Sequence, residues 1–424
     1  VYKYIRADKI VKILPNHIVF QVLTFDFIAQ IHYPMRLTQL FKGFFESERA
    51  GGLVLMACTA IALFLANNFP ELGFTHFWHL ELGSKPIEFW INDGLMAIFF
   101  LLIGLEIERE IYVGELSARE NAVIPVMAAV GGALIPAAIH WGFNHGTDFQ
   151  RGVGIPMATD IAFALGILSL LGNKVPNSLK IFLTALAIID DLLAIIIIAI
   201  FYSKGFYWEY FAGAMLVFGL LLLLGRKKVM HLWIYLVLGV LMWYFMLRSG
   251  IHATIAGVLL AFAIPFGKHD SKSPSWILQH ALHYPVAFVI LPLFALANTG
   301  IKLPEGWITD LFTSNGLGII LGLVLGKPLG VVLFTYLAKK WRIGRLPDGL
   351  SMQQVAGAGM LAGIGFTMSI FITLLAFEQD QQVVASKIAI LAASVISGMI
   401  GWIFLSQVLQ KRGRKAQEEE EEDA

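Results

Sequence analysis

Charge and cysteine are what this sequence has least of. Of its 424 residues, 14% are Asp, Glu, Lys or Arg, against roughly a quarter in an ordinary soluble domain. So few charges cannot clothe a water-facing surface of that size. One cysteine is present, Cys58, so an intrachain disulfide is excluded and a thiolate metal site lacks a second ligand. Cys58 sits in an apolar run and reads as inert core. The formal net charge is +1 and the cations are scattered between apolar segments, which excludes nucleic acid as a partner, because that needs a basic face. Neither HExxH nor GxSxG accompanies the acidic residues; the case for an intramembrane hydrolase has no motif to stand on, and no cofactor is implied.

What is abundant is apolar sequence: 57% of residues are hydrophobic and the mean hydropathy is +0.72. The apolar residues come in runs that match the ~20 residues a helix needs to cross a hydrocarbon core of ~30 Å, not in the short alternating segments of a barrel. The fold class is therefore an all-α polytopic membrane protein. About twelve spans are predicted, starting near Gly51, Ile87, Ala122, Arg151, Ser178, Glu209, His231, Ile251, Ala281, Gly316, Met352 and Val384. An even number puts both termini on one side. Cations concentrate after even-numbered spans, as at Arg226, Lys227 and Lys228 and at Lys339, Lys340, Arg342 and Arg345. Loops after odd-numbered spans hold one each: Lys85, Arg151, Lys204, Arg248, Lys302 and Lys387. The positive-inside rule then places both termini in the cytoplasm.

Residues 1–34 read as an N-terminal extension upstream of a candidate start at Met35, with no signal-peptide cleavage pattern. The membrane domain covers 35–409. Residues 410–424 end in the acidic run Glu418 to Asp423 and are expected to be a solvated, disordered cytoplasmic tail. Between the first two spans, alternation around His79 to Ile87 with a Gly83-Ser84 turn fits either a small hairpin or an exposed loop.

The informative residues are charges inside spans. Lys327, in LGLVLGKPLGVVLF, is the cation that no loop accommodates. A charge at the bilayer centre costs at least ~2.5–3.5 kcal/mol, so such groups pair or line a pathway. Its candidate partners are Asp160 in MATDIAFALG and the adjacent Asp190 and Asp191 in LAIIDDLLAIIIIAI. Neighbouring residues on a helix point about 100° apart, so one carboxylate can face a partner while the other faces a cavity. Two acids against one base leave a negative charge to be met by a proton or by a hard monovalent cation, for which carboxylates, the Thr159 hydroxyl and freed backbone carbonyls are suitable ligands. Competition for the same oxygens would couple the two. A plain structural ion pair with Lys327 is the bland alternative for the dyad, and a helix cap is the bland alternative for Asp160.

Two spans carry helix-breaking sequence. Span four (RGVGIPMATDIAFALG) has Gly152, Gly154 and Pro156, and span eleven has Gly357, Gly359, Gly363 and Gly365. Each is second in a group of three, so spans 3–5 and 10–12 are predicted to be inverted-topology repeats with interrupted helices 4 and 11 around a midplane site. Half-helix ends bring partial charges together, and Asp160 and Lys327 offer one compensating charge of each sign.

The ordered motifs FFLLIGLEIERE (Phe99 to Glu110), ATDIAFALG, KIFLTALAIIDDLLAIIIIA, SGIHATIAG, ILPLFALANTG, GKPLG and GIGFTMSIF closely resemble the NhaA-type Na+/H+ antiporters, over roughly Leu40 to Leu409. The resemblance implies that Asp190 and Asp191 bind Na+ (or Li+) and protons, that Lys327 pairs with Asp190, and that Asp160 and Lys327 compensate crossed half-helices. It also implies electrogenic exchange of cytoplasmic Na+ for periplasmic H+, serving sodium and pH homeostasis, in a homodimer joined partly through the loop after span one. Activation by rising pH would involve Glu106, Arg109, Glu110, His280 and His283, with Gln279 standing where the family has an acid. His252 matches too, though a satisfied imidazole is its simpler reading. Asp93 is expected either to line the ion's access funnel or to mark a helix end. A cation channel would need no buried lysine, and a Na+-coupled symporter would need more polar groups beside the dyad.

Overall fold

The structure, a computed structural model, describes residues 48–422 apart from 118, 204, 268–271 and 348. The N-terminal extension over 1–34 and Met35 lie outside the described residues. Among the described residues ten helices are long and apolar enough to cross a membrane, and a bent pair makes an eleventh. They are α1 (Glu48–Asn68), α2 (Ile87–Tyr112), α3 (Arg119–Asn144), a 3-10 stretch Gln150–Met157 continued after a break by α4 (Ile161–Ser169), α5 (Asn177–Phe201), α6 (Trp208–Arg226) and α7 (Leu232–Ser249). After these come α8 (Ile255–Ala263), α9 (Pro274–Thr299), α10 (Ser314–Lys340), the pair α11 (Met352–Ala362) and α12 (Phe366–Ala376) bent by 48°, and α13 (Asp380–Glu422). About twelve spans is the right count if α8 is included. It has nine residues, because Gly250 takes a left-handed φ of 85° that ends α7 and the chain stays irregular until Ile255.

The loop after α1 does close a hairpin. β1 (Glu81–Leu82) pairs antiparallel with β2 (Lys85–Pro86), with Glu81 opposite Pro86 and Leu82 opposite Lys85, and Gly83 supplies the φ of 74° that the tight turn requires. At the other end of the chain, α13 continues as helix to Glu422, past Leu409, where the membrane domain was expected to end in unstructured tail. One cation is also misplaced by the sequence. Lys387 is not in a loop but inside α13, only 7% exposed, because the apolar run that follows it begins two turns into the helix rather than at its start.

Local chemistry explains where helices deviate. Pro328 and Pro292 have no N–H to give, and a proline ring crowds the carbonyl four residues earlier. The preceding turns relax into π geometry at Gly322–Gly326 and Val286–Ile290. A third π turn, Trp90–Leu95, lies in α2. In α10, Gly318, Gly322, Gly326 and Gly330 recur every fourth residue and form one bare face against α3. A Cβ at Gly326 would stand 3.0 Å from Cα of Pro136, one at Gly318 would stand 3.1 Å from the His140 ring, and Gly330 abuts the backbone of Gly131. Small residues let two membrane helices approach this closely where no hydrophobic force drives them together. Lys327 is held at the centre of that seam, its Cε 3.5 Å from the Cβ position of Gly132.

Two apolar cores result. The larger joins α2, α3, α5, α9, α10, α11, α12 and α13, and the smaller joins α6, α7 and α8 to Leu101 and Leu105 of α2. Span four and α5 are the most enclosed of the single helices, whereas α6 and α7 are the least and present Leu216, Trp233, Val237 and Val240 outward. The apolar exterior belongs to lipid, and Asp160, Asp190 and Asp191 sit in the two most enclosed helices.

Candidate functional site

Span four and the α11–α12 pair cross at their breaks. Ala158 to Asp160 separates the 3-10 stretch from α4, and Gly363 to Gly365 separates α11 from α12. Asp160 N donates to Ile364 O at 2.7 Å, and Thr159 Oγ1 lies 2.8 Å from Ala362 O. Irregular backbone is tolerable inside a membrane only where its polar groups are met, and here each break meets the other's.

The ends at this crossing carry opposite partial charges, and one side chain of the matching sign sits at each kind. Asp160 is the N-cap of α4, accepting from Phe163 N at 2.9 Å through Oδ1. Its other oxygen, Oδ2, accepts from Thr367 N at 3.1 Å and from the Thr367 hydroxyl. One carboxylate thus caps α4 and α12 together, which makes the capping alternative for Asp160 a structural fact. Lys327 Nζ donates to Met157 O, the carbonyl end of the 3-10 stretch. Ser369 Oγ donates to Ile155 O two residues earlier at 2.7 Å.

Lys327 makes its ion pair with Asp190 Oδ2, both side chains fully buried. The same oxygen accepts from Thr159 Oγ1 at 2.6 Å. Asp190 Oδ1 has no hydrogen-bond partner, and neither oxygen of Asp191 has one. Asp191 is 0% exposed, on a turn of α5 whose neighbours Ile188, Ile189 and Ala194 are apolar and buried. Adjacency on a helix has separated the two acids as geometry requires: one is committed to the lysine and threonine, and the other is left with both oxygens unpartnered. Within electrostatic reach of Asp191 lie Asp190, Asp160, Glu106 and Lys327, three further acids and one base.

The remaining predicted residues fall in three places. Glu106, Arg109 and Glu110 share the last turns of α2, against which the first half of α9 packs. On α9, His280 is exposed, stacks on Trp276 at 3.8 Å and meets its carbonyl at 2.9 Å. His283 lies edge-on to Tyr284 at 5.7 Å. Gln279 is buried. His252 is half-buried, with Nε2 2.7 Å from Tyr202 O. Tyr202, just past α5, accepts from Gly154 N at 3.1 Å and donates to Arg151 O at 2.8 Å, so His252, α5 and the start of span four are tied together. Asp93 is within the π turn of α2 rather than at a helix end, and its carbonyl accepts from Trp243 Nε1 at 3.1 Å.

Sequence reasoning missed Thr367, Ser369 and the carbonyl of Met157. Thr367 had a readable signal: a hydroxyl residue two positions past the Gly363-Ile364-Gly365 break, where a restarting helix has free N–H groups. It missed Glu108 as well, a buried carboxylate of α2 whose Oε2 has no partner, and the buried chain His140, Asn315 and Ser386, which links α3, α10 and α13 through contacts of 3.3 and 2.9 Å.

Comparison with known proteins adds an independent line. The family model described as Na+/H+ antiporter 1 matches residues 42–405. The chain is 57% identical over 376 residues to a Na(+)/H(+) antiporter NhaA of Flavobacterium psychrophilum, covering 89% of this chain and 98% of the relative. It is 56% identical over 375 residues to one of Dechloromonas aromatica, covering 88% and 96%. It is 47% identical over 383 residues to one of Aliivibrio salmonicida, covering 89% and 100%.

Proposed function

Because this chain belongs to the Na+/H+ antiporter 1 family, we propose that it is a secondary transporter, not an enzyme, that exchanges cytoplasmic Na+ or Li+ for periplasmic H+ at Asp190 and Asp191. The observation that carries the reading is the arithmetic of the buried charges. Two adjacent carboxylates face one lysine, Lys327 is engaged by Asp190 and Met157 O, and both oxygens of Asp191 are without a partner. A buried carboxylate cannot stand uncompensated. Either a proton or a small cation meets it, and the two exclude each other.

In this account Asp191 is the primary ligand, and Asp190 Oδ1 and the Thr159 hydroxyl are the adjacent oxygen donors. Lys327 pairs with Asp190 and closes the end of the 3-10 stretch. Asp160 holds the two helix N-termini at the crossing. Because two carboxylates can bring in two protons for each cation carried out, the exchange is electrogenic and is driven by the membrane potential together with the proton gradient. The dyad is sealed from both aqueous sides in this conformation, so transport proceeds by alternating access, with the spans 3–5 and 10–12 acting as inverted repeats around the crossing. The protein is placed in the bacterial inner membrane with both termini cytoplasmic, as a homodimer, and its activity rises with pH through Glu106, Arg109, Glu110, His280 and His283 near the cytoplasmic end of α2. Lys327 beside the dyad speaks against a channel, whose ion path needs no buried base.

The test is dissipation of a pH gradient in everted vesicles on addition of Na+, Li+ or K+. Na+- and Li+-dependent dissipation is the expected result, and no response to any of the three cations between about pH 6.5 and 8.5 would contradict the proposal.

A further inference from the structure

The exchange site leaves one buried polar cluster unused, where the end of α3 meets the starts of α10 and α13. His140 and Asn144 of α3, Asn315 of α10 and Ser386 of α13 are all 0% exposed. Hydrogen-bond directions run through the cluster in one sense. The Ser386 hydroxyl gives its single proton to Gln382 O at 2.8 Å, so it accepts from Asn315, whose Nδ2 lies 2.9 Å away. That turns Asn315 Oδ1 toward His140, 3.3 Å from Nε2, and an amide oxygen there requires the ring proton to be on Nε2. The other ring nitrogen, Nδ1, then carries a lone pair and is an acceptor. Asn144 is fixed in the same way. Its Nδ2 donates to His140 O at 3.0 Å and to Ser314 O at 3.1 Å, which leaves Oδ1 as an acceptor too.

Among the described residues no donor meets His140 Nδ1 or Asn144 Oδ1. The two residues stand four apart on α3, where side chains are neighbours on the helix surface. Packing holds both in place. A Cβ at Gly318 would lie 2.7 Å from Asn144 Nδ2 and 3.1 Å from His140 Cδ2, so α10 presses on the donor edge of each side chain. The ring carbon between the two nitrogens, Cε1, faces Gly152 of the 3-10 stretch, where a Cβ would stand 3.2 Å from it. Two acceptors shut away from bulk solvent cost the desolvation of both groups, unless one species with two hydrogens to give reaches both.

From these directions we infer that the end of α3 is a binding site for one structural water molecule, which donates to His140 Nδ1 and to Asn144 Oδ1. Two polar partners meet the minimum that a buried water needs. A proton on Nδ1 is the other way to answer that lone pair, but it would create an imidazolium to which no carboxylate among the described residues bonds, and the residue after Ser386 is the cation Lys387. A hard cation asks for several oxygen ligands, and the cluster offers it one side-chain oxygen. With the water in place, His140 and Asn144 grip two consecutive residues at the start of α10, Asn315 and Ser314, and Asn315 carries the hold on to α13. The same helix α10 brings Lys327 to Asp190. The water is thus a fixed part of the frame that positions that lysine. The inference follows from hydrogen-bond directions and does not depend on the exchange reading.

The experiment is solid-state NMR of the full chain in lipid vesicles with isotope-labelled histidine, His140 being assigned by the signal missing from His140→Phe. It reads which ring nitrogen carries the proton and whether magnetisation passes from water to Nδ1. The expected result is the Nε2–H tautomer with water transfer to Nδ1, and loss of that transfer in Asn144→Leu with the tautomer kept. A ring protonated on both nitrogens, or on Nδ1 alone, overturns the inference, because His140 would then supply the donor that Asn144 Oδ1 needs. A bare Nδ1 without water transfer overturns it as well, and so does transfer undiminished in Asn144→Leu. The wild-type spectrum decides the matter even where Asn144→Leu fails to fold, which its melting temperature checks. The hold on α10 has a readout of its own. Glutamine can present an amide N–H toward Asn315 where Nε2–H stood, so His140→Gln should melt higher than His140→Phe, and equal melting temperatures would remove the positioning role.

Discussion

Asp190 and Lys327 lie 137 residues apart in sequence and meet in one ion pair with both side chains fully buried. Neither oxygen of Asp191, the next residue, has a hydrogen-bond partner. The pair accounts for one acid and one base, and the third charge is what the transport account depends on. Desolvating a pair can cost as much as its attraction returns, so a buried ion pair is weak grounds for stability but a severe place to break.

Lys327→Ala is therefore predicted to lower the thermal stability of the purified protein by about 3–5 kcal/mol, since it strands the Asp190 carboxylate and the Met157 carbonyl. Lys327→Gln with Asp190→Asn removes both charges and should recover more than half of that loss. A double-mutant cycle on melting curves measures the coupling, and additive losses would show that the pair is not coupled.

Asp160→Ala removes the acceptor for the N–H groups of Phe163 and Thr367 at once. At about 1–3 kcal/mol for each buried donor left unpaired, a total loss of about 2–6 kcal/mol is expected. Asp160→Asn keeps an oxygen for one of them and should lose less than half as much. Equal melting temperatures for the alanine and asparagine variants would disprove the double-cap role.

Gly330→Val puts a branched side chain against the backbone of Gly131. Overpacking of about 1–3 kcal/mol is expected, together with reduced Na+-dependent exchange, because α10 carries Lys327 one turn before Gly330. Gly219→Val, on α6 where an added Cβ meets nothing within 4 Å, should leave both unchanged.

Much of this was legible in the sequence because membranes make charge conspicuous. Lys327 stands out in an apolar run, its acidic partners are few, and Gly-rich and Pro-containing segments mark the breaks. Gly83-Ser84 marked a turn, with hairpin and exposed loop equally compatible. What stayed hidden depends on contacts between distant segments. Thr367 reaches Asp160 across 207 residues, and the α10 glycine face acquires meaning only when α3 is laid against it. Lys387 was misread because a cation ahead of an apolar run looks like a loop, although Asp380 marks the helix start two turns earlier. Its burial, like that of Glu108, depends on neighbours that no local pattern specifies.

Tyr202 gives a pH prediction with a definite sign. Burial pushes its phenol up to about 12 from the ordinary 10.0, so its neutral form is favoured in the folded state. Its contribution is fully present below about pH 10 and is lost as pH rises from there through about 12. Across pH 6.5 to 8.5 it does not titrate. Tyr202→Phe, which loses the bonds to Gly154 and Arg151, should lower the melting temperature by the same amount across that window and leave the shape of the pH–activity curve unchanged. A shifted activity midpoint would contradict this.

The central claim is that Na+ and H+ compete for the carboxylates at Asp190 and Asp191. The most direct test is calorimetry of Na+ binding to the purified protein near pH 8, repeated in buffers of different ionisation enthalpy, for wild type and Asp191→Asn. Asparagine is nearly isosteric and no hydrogen bond to Asp191 is lost, so the variant should melt no lower than wild type. The account predicts that the apparent heat in wild type varies with the buffer, reporting protons released as Na+ binds, and that Asp191→Asn shows neither binding nor release. Wild-type Na+ affinity and proton release in Asp191→Asn would contradict it.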